Sequence, residues 1–200
     1  MPFKTDNATT ISIVRKITGK KENLELLKGH DKMACWFHDG PTYWIRALPF
    51  APKGNKSNRS NHYHSLHGMS ASHALILASI LSSSTFYLYY KLVSNCRDLG
   101  AKEIYSFRIG RLKQNEFRKL AELGNILGER LKETAKRCSR NYPSGTIEYD
   151  EYYPGSVKNT IDEIDRVLAR HYGFTDEELD FIINYDIKYR MGKDNSEEAE

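Results

Sequence analysis

Short runs of alternating or β-branched hydrophobic residues predict β structure in the first third of the chain. Residues 10–14 read Thr-Ile-Ser-Ile-Val, which is typical of a strand, and residues 33–37 and 43–48 give two further strand predictions. An Asp-Gly pair lies between the strands predicted at 33–37 and 43–48 and is typical of a hairpin turn. The polar stretch at 53–70 is predicted to be a loop. These patterns indicate an N-terminal antiparallel β region.

Helical spacing of apolar positions begins near residue 71. A helix is predicted from Ala71, with Ser70 or Ser72 as its N-cap. The serines at 82–84 should break this helix, and a second, aromatic helix is predicted at 85–93. The two segments are strongly apolar, so we expect them to lie in the core.

The next part of the chain alternates between irregular segments and one long helix. A turn is predicted at 94–100 and a short extended or mixed segment at 101–109. The longest helix is predicted at 114–137, and its apolar seam consists of Leu120, Leu123, Leu127 and Leu131. Residues 141–155 are predicted to be a link to the C-terminal part.

The C-terminal part predicts two short helices with a well-marked joint. Ile161, Ile164, Val167 and Leu168 form one apolar stripe. Gly173 stands where a helix end favours a residue with positive φ. Thr175 then begins Thr-Asp-Glu-Glu, a capping box that satisfies two amides of the following helix. The prediction is a docked helical hairpin.

These elements together predict a mixed α/β (α+β) fold. It has an N-terminal antiparallel β region, central helices and a C-terminal helical hairpin. We expect one body over residues 1–155, the hairpin over 156–191, and a disordered acidic tail at 192–200.

One segment is long enough to require a test for membrane insertion. Residues 69–90 carry no formal charge, and this segment is about as long as a helix needs to be to span a bilayer. His73, Ser79 and the serines at 82–84 interrupt the segment, so a buried helix pair is the favoured interpretation. We therefore expect no membrane partner.

Charge is distributed unevenly along the chain. Residues 1–140 carry 24 Lys and Arg against 11 Asp and Glu, whereas residues 141–200 carry 6 against 15. A basic body with an acidic end suits a polyanionic partner on one face, although mutual attraction of the two halves is the alternative. The three cysteines, far apart and odd in number, fit a reducing compartment, and a cytoplasmic location is expected.

A long stretch without acidic residues is the main candidate for contact with nucleic acid. No Asp or Glu occurs between Asp39 and Asp98, while amides and cations are frequent in the predicted loop at 53–67. Cations there would meet phosphates, and amides and arginines would meet base edges, although a mobile loop without a function is the alternative. The predicted contact residues are Lys53, Lys56, Arg59, Arg97 and Lys102.

Three other groups allow both a functional and a structural interpretation. The histidines could bind a metal ion or simply occupy a solvated loop: His62, His64, His67 and His73. The aromatic residues could stack on bases or fill the core: Phe86, Tyr87, Tyr89 and Tyr90. The cations at the predicted end of the long helix could bind phosphate or complement the helix dipole: Lys136, Arg137 and Arg140.

The motifs of several enzyme classes are missing from the sequence. It contains no glycine-rich phosphate or dinucleotide loop and no Gly-x-Ser-x-Gly turn. It also has no Asn/Asp-Pro-Pro-aromatic motif, with which adenine methylases hold the target base, and no metal-nuclease pattern. We therefore do not expect this chain to catalyse a reaction by itself. Neither a metal ion nor a cofactor is predicted in it.

Four segments, in order, resemble the C-terminal region of adenine-specific DNA methyltransferases from type II and type IIG restriction–modification systems. They are Leu-Ser-Ser-Ser-Thr-Phe-Tyr-Leu-Tyr-Tyr at 81–90, Ser-Asn-Cys-Arg-Asp-Leu-Gly-Ala-Lys-Glu-Ile at 94–104, the paired segments 137–142 and 147–154, and Ile-Asp-Glu-Ile-Asp-Arg-Val-Leu-Ala-Arg-His-Tyr-Gly-Phe-Thr-Asp-Glu-Glu-Leu-Asp from 161. The similarity extends over roughly residues 30–191. One departure is Phe107-Arg108-Ile109, where the family has Phe-Pro-Ile.

The resemblance implies a function in recognising duplex DNA. In that family this region follows the methylase domain and forms the target-recognition part, so residues 1–155 would be a target-recognition-like domain. S-adenosylmethionine would bind in a catalytic domain that this sequence lacks, and the chain would be a fragment, a split specificity subunit or a gene remnant. Base readout is expected from the β region and the 53–67 loop. The alternative is a protein–protein module whose hairpin and acidic tail dock onto a methyltransferase subunit or another defence-system subunit. Its aromatic helix and its leucine seam would then supply an interface.

Overall fold

A computed structural model describes residues 7–53, 62–143 and 145–191 and has the expected mixed α+β fold. Eight helices and five strands occur in those residues, in addition to 3-10 turns at Leu24–Leu27 and Pro154–Val157. In chain order they are α1 (Ala8–Thr18), β1 (Ala34–His38), β2 (Ala47–Leu48), β3 (Tyr63–His67), α2 (Ala71–Ser82), α3 (Ser84–Val93), α4 (Ala101–Ser106), α5 (Gln114–Glu133), β4 (Lys136–Tyr142), β5 (Gly145–Glu151), α6 (Lys158–Tyr172), α7 (Asp176–Asn184) and α8 (Ile187–Met191).

The N-terminal sheet is antiparallel, with strand order β2-β1-β3. Trp36 in the central strand lies opposite Leu48 on one side and Ser65 on the other. Cys35 and Phe37 are buried on the face toward the core, where β1 packs against α2. The strand predicted at 33–37 is confirmed with a shift of one residue.

Two predictions for this region need correction. The strand predicted at 43–48 is reduced to Ala47–Leu48. The loop predicted at 53–70 contains β3, whose five residues pair along the whole of β1, while residues 54–61 lie outside the described part. The strand was missed because its sequence, Tyr-His-Ser-Leu-His, has one buried apolar residue, Leu66, and therefore little hydrophobic alternation.

Helix α2 lies at the centre of the molecule and packs against α5. The two helices approach closely at Gly124, where a Cβ would stand 2.4 Å from the backbone oxygen of Leu75. The leucines predicted as a seam on α5 are all buried inside the chain: Leu120, Leu123, Leu127 and Leu131. The seam is therefore part of the core and cannot serve as the docking surface considered above.

A sharp bend joins α2 and α3, as the run of serines predicted. The Ser83 hydroxyl donates to the Ile80 carbonyl and accepts from the Phe86 amide, so one residue ends the first helix and caps the second. Among the described residues no single helix is long and apolar enough to cross a membrane, although this pair, bent by 63°, meets the length and composition criteria together.

The aromatic residues of α3 belong to the core. Phe86, Tyr87, Tyr89 and Tyr90 are each at most 4% exposed. Their structural interpretation is confirmed, because a base cannot stack on rings that the protein covers.

The C-terminal helices follow the predicted joint closely. Gly173 has φ of 70° and ends α6, and Thr175 and Glu178 form the capping box at the start of α7. Helix α6 packs against α3 and α5, so the hairpin contributes to the same hydrophobic core as the rest of the chain. A further short helix, α8, follows α7.

Two further elements differ from the predictions. Residues 10–14 lie in helix α1, capped by the Asn7 side chain, because Ile13, Val14 and Ile17 also form an apolar helical stripe. Residues 101–106 form helix α4 instead of an extended segment.

The largest difference lies after the long helix. Helix α5 ends at Glu133, four residues before the predicted end, and the segment predicted as a link contains strand β5. Lys136, Arg137 and Arg140 therefore lie on strand β4 and not in a helix, so they have no role at a helix dipole.

Candidate nucleic-acid interface

The predicted contact residues fall into two separate regions. Lys53 is exposed, and its backbone lies beside β5, where its carbonyl accepts from the Asp150 amide at 3.2 Å. Arg97 and Lys102 are exposed near α4. Lys56 and Arg59 lie outside the described residues.

Lys102 lines a cleft of about 580 Å³ between the end of α1, the end of α3 and α4. Two more cations, Lys21 and Arg108, reach the same cleft, although they are 87 residues apart in sequence. Arg97 follows Asn95, another lining residue, in the turn between α3 and α4. The remaining lining residues are Thr18, Asn23, Tyr89, Val93, Ser94, Glu103, Tyr105 and Ser106.

The single acidic residue lining this cleft is engaged in capping a helix. The carboxylate of Glu103 accepts from the Gly100 amide at 3.1 Å and so caps α4. Lys21 and Lys102 are exposed, and the guanidinium of Arg108 donates to the carbonyls of Lys20 and Lys21, which joins the segment after α4 to the 20–23 segment. Positive charge with surrounding hydroxyl and amide groups suits a phosphate ligand.

Two aromatic residues form part of the wall of the cleft and connect the elements around it. The hydroxyl of Tyr89 donates to the Ser106 carbonyl at 2.9 Å, which joins α3 to α4. Lys28 lies over the ring of Tyr105, with its Nζ 5.5 Å from the ring centre. Burial, and the nearby carboxylate of Glu25, raise the pKa of Tyr105, so its hydroxyl stays protonated and can donate a hydrogen bond at neutral pH.

A second exposed feature is the β4–β5 ribbon, a two-stranded antiparallel hairpin over residues 136–151. Seven residues of each strand pair, and in the described part of the chain neither strand pairs with a third. Near its base, Arg137 donates to Asp150 and to Glu148, both at 2.9 Å. Arg140, Asn141 and Thr146 are exposed toward the tip.

Two of the histidines considered as metal ligands share a carboxylate. The ring nitrogens of His62 and His64 lie 2.9 and 3.1 Å from the two oxygens of Asp39, a residue of the β1–β2 connection. Burial alone would raise the pKa of Asp39, but the hydrogen bonds from His64 and His62 lower it overall. Sequence reasoning missed this carboxylate because it lies 23 residues from His62.

The geometry of these histidines is that of hydrogen-bonded pairs. Burial and the charge of Arg46 lower the pKa of the neighbouring His38 to about 4, so this ring is neutral at pH 7. His67 bonds the Asp31 carbonyl and His73 bonds the Ser70 hydroxyl. Within the described ranges no group of three or more His, Cys, Asp or Glu residues is arranged to hold a metal ion.

The sequence indicated some of the exposed cations but not how they are grouped. Lys102 was a predicted contact, whereas Lys21 and Arg108 were missed because only the folded chain brings the 20–23 segment against the residues that follow α4. The ribbon was missed because β4 has no hydrophobic alternation, and in β5 only Ile147 and Tyr149 alternate with polar residues. The repeated Lys and Arg residues at 136–140 were the available signal.

Three comparisons with known proteins found no similar protein. The chain matches no protein-family model, no curated protein and no solved structure.

Proposed function

We propose that the chain recognises duplex DNA in a sequence-specific manner, as the specificity portion of an adenine-specific DNA methyltransferase of a restriction–modification system. The observation that carries the proposal is the cationic cleft, where Lys21, Lys102 and Arg108 meet and the one lining carboxylate is engaged in capping α4. The resemblance of four segments to the methyltransferase C-terminal region supports the choice of partner. Methyl transfer with S-adenosylmethionine would belong to a separate catalytic domain or subunit.

In this proposal the cleft grips the sugar–phosphate backbone. Lysines in such a position release counterions from DNA, so affinity falls steeply with salt and depends little on sequence. Arg108 supports the cleft by holding the 20–23 segment, and the exposed lysines make the contacts. Arg97, in the adjoining turn, and Lys53, beside the ribbon, would extend the contact surface.

The test is DNA binding by a Lys21→Ala/Lys102→Ala variant at several salt concentrations. Two lost phosphate contacts should weaken binding to all sequences about equally and reduce the slope of log affinity against log salt by roughly 1.8. Lys188→Ala on α8, also an exposed lysine, is the matched control and should leave the slope unchanged. An unchanged slope in the double variant would show that the cleft does not contact DNA.

A second function is favoured by a different observation, an exposed aromatic patch at the C-terminal end. Tyr43 and Tyr189 stack with ring centres 6.1 Å apart and are 40% and 59% exposed, and Met191 nearby is also exposed. Large exposed apolar side chains suit docking to a methyltransferase subunit. Negligible DNA binding at low salt, together with self-association that a Tyr43→Ser/Tyr189→Ser variant abolishes, would favour this alternative.

A further inference from the structure

The walls of the cationic cleft are joined to one another by hydrogen bonds. The amides of Ile109 and Gly110 donate to the Glu22 carbonyl at 3.0 and 2.9 Å, which fixes the segment that carries Lys21. The Tyr89 hydroxyl joins α3 to α4. A site that is formed before its ligand arrives loses little conformational freedom on binding. The cleft is therefore suited to a ligand of defined shape.

The volume of the cleft suits a ligand larger than one phosphate group. It is about 580 Å³, within the range of about 300–1,000 Å³ that is common for sites of small molecules. A phosphate on the backbone of a passing duplex would fill a small part of it. The remaining space can take the sugar and the base that are attached to the phosphate.

Hydrogen-bond donors without a partner line the cleft. The side-chain oxygens of Asn23 and Asn95 accept from the amides of Glu25 and Arg97, both at 3.0 Å. The NH₂ groups of the two asparagines remain unbonded within the described residues, and so does the Tyr105 hydroxyl. Donors of this kind pair with the nitrogen and oxygen acceptors on the edges of bases.

Cations outnumber acids in and beside the cleft. The cations are Lys21, Lys28, Arg97, Lys102, Arg108 and Arg111, and the acids are Glu22, Glu25, Asp98 and Glu103. Two of the acids are engaged, because Glu22 pairs with Arg111 at 3.4 Å and Glu103 caps α4. Lys21 and Lys102 make no ion pair in the ranges that the structure covers. A phosphate monoester, which carries a charge of about −1.5 to −2 at pH 7, would balance them.

Two lining residues supply a surface for a planar ring. Val93 and Tyr105 are half-buried, so each keeps part of its side chain open to solvent. Lys28 lies over one face of the Tyr105 ring, so a base would meet the other face or the edge. Bases pack well against aromatic side chains, and the contact tolerates any base because every base has a π-face. A phosphate that carries no base would leave this surface in water.

We propose that the cationic cleft binds a single nucleotide, with its phosphate held by Lys21 and Lys102 and its base packed against Tyr105. The inference rests on the proposed function for the choice of a nucleic-acid ligand, and it names the unit that the cleft takes. The same chemistry occurs in a free nucleoside monophosphate and in an unpaired nucleotide at the end of a duplex. Arg108 offers further donors, because its bonds to the Lys20 and Lys21 carbonyls use Nη1 and leave Nε and Nη2 without a partner in the described part of the chain.

The first measurement is calorimetric titration of the full chain at low salt with three probes. They are deoxyadenosine monophosphate, deoxyadenosine and inorganic phosphate. The monophosphate should bind at least about 10-fold more tightly than either of the others, because it alone makes the phosphate and the base contacts while it loses its freedom once. Equal affinity for the monophosphate and inorganic phosphate would make the cleft a simple anion site and overturn the inference.

Variants test whether this binding occurs in the cleft. Lys21→Ala/Lys102→Ala removes charge-assisted hydrogen bonds and should weaken monophosphate binding at least about 10-fold, and Tyr105→Phe should weaken it about fivefold. Lys188→Ala and Tyr189→Phe change an exposed lysine and an exposed tyrosine of α8 and should leave the affinity unchanged. The substituted cleft groups make no hydrogen bond within the described residues, so circular dichroism should show all four variants folded. Unchanged affinity in the cleft variants would overturn the inference.

Duplex ligands distinguish the source of the nucleotide and the two proposals. Tighter binding to a duplex with one unpaired 3′ nucleotide than to a blunt duplex would support a DNA end as the source, and equal binding would support a free nucleotide. Failure of the monophosphate to bind, with duplex affinity that keeps its salt dependence, would overturn the inference and leave the proposed function standing. Binding of the monophosphate without binding of any duplex would overturn the proposed function alone.

Discussion

The start of α3 and the β4–β5 ribbon both use charged side chains, but in opposite environments. At α3, Asp165 of α6 accepts from the amides of Ser84 and Thr85 and from the Thr85 hydroxyl, and this carboxyl is fully buried. In the ribbon, Arg137 bonds Glu148 and Asp150 while it remains 53% exposed. Water competes for the second set of contacts and not for the first.

The buried contacts make this region a fixed junction of three helices. Arg190 of α8 donates to the Ser84 hydroxyl and lies between the rings of Trp44 and Tyr87, with its guanidinium carbon 3.8 and 4.9 Å from their centres. Helices α6 and α8 thereby hold the same turn of α3. The difference from the ribbon teaches that polar contacts fix the fold where water is excluded and contribute less where water competes for them.

Loss of the Asp165 carboxyl should have the largest effect on stability. Asp165→Ala leaves three buried donors without an acceptor, so the free energy of unfolding should fall by about 3 kcal/mol or more. Asp162→Ala, on the same helix, removes an ion pair with Lys158 and should cost under about 1 kcal/mol. Urea denaturation of the two variants measures the difference, and equal losses would contradict the comparison.

The contact between α1 and α7 should give an intermediate and pH-dependent effect. Glu178 accepts from Lys16 and from Ser12, each at 2.6 Å. Burial alone would raise the pKa of Glu178, but these hydrogen bonds lower it overall. Because the folded pKa lies below the ordinary value of 4.5, the stabilisation is fully present above that value and is lost as pH falls through the folded pKa.

Glu178→Gln should therefore lower the free energy of unfolding at pH 7 by about 1–2 kcal/mol and flatten the loss of stability below pH 4.5. Ser12→Ala keeps the Lys16 ion pair and should retain most of the pH dependence. Asp165 has the opposite sign, since burial raises its pKa. Thermal unfolding between pH 3 and 7 separates the variants, and a Gln variant as acid-sensitive as the wild type would argue against the Glu178 contribution.

Local signals explain how much of the fold the sequence could predict. The joint at Gly173 and Thr175 was predicted to the residue, because positive φ and a capping box are decided within a few neighbouring positions. The break at the serines between α2 and α3 was predicted for the same reason. Helix α1 was misjudged because its first apolar residues fit a period of two as well as 3.6.

The candidate site was predicted less well, because it depends on residues distant in sequence. Arg108, which follows α4, reaches the backbone of Lys20 and Lys21 only in the folded chain. Strand β4, Lys-Arg-Cys-Ser-Arg-Asn-Tyr, has no hydrophobic alternation, since neither of its faces belongs to the core. A strand exposed on both faces leaves little periodic signal, so it is hard to predict from sequence.

The tip of the ribbon should show the smallest effect on stability. Asn141→Ala removes one exposed hydrogen bond, from the Thr146 hydroxyl, and should change the free energy of unfolding by less than about 0.5 kcal/mol. Ribbon amides should also exchange with solvent faster than those in the middle of α5, whose leucines are buried. Urea denaturation and hydrogen exchange measure both effects. A loss above about 1.5 kcal/mol would mean that the ribbon tip supports the fold, and Asn141 would then be a structural residue.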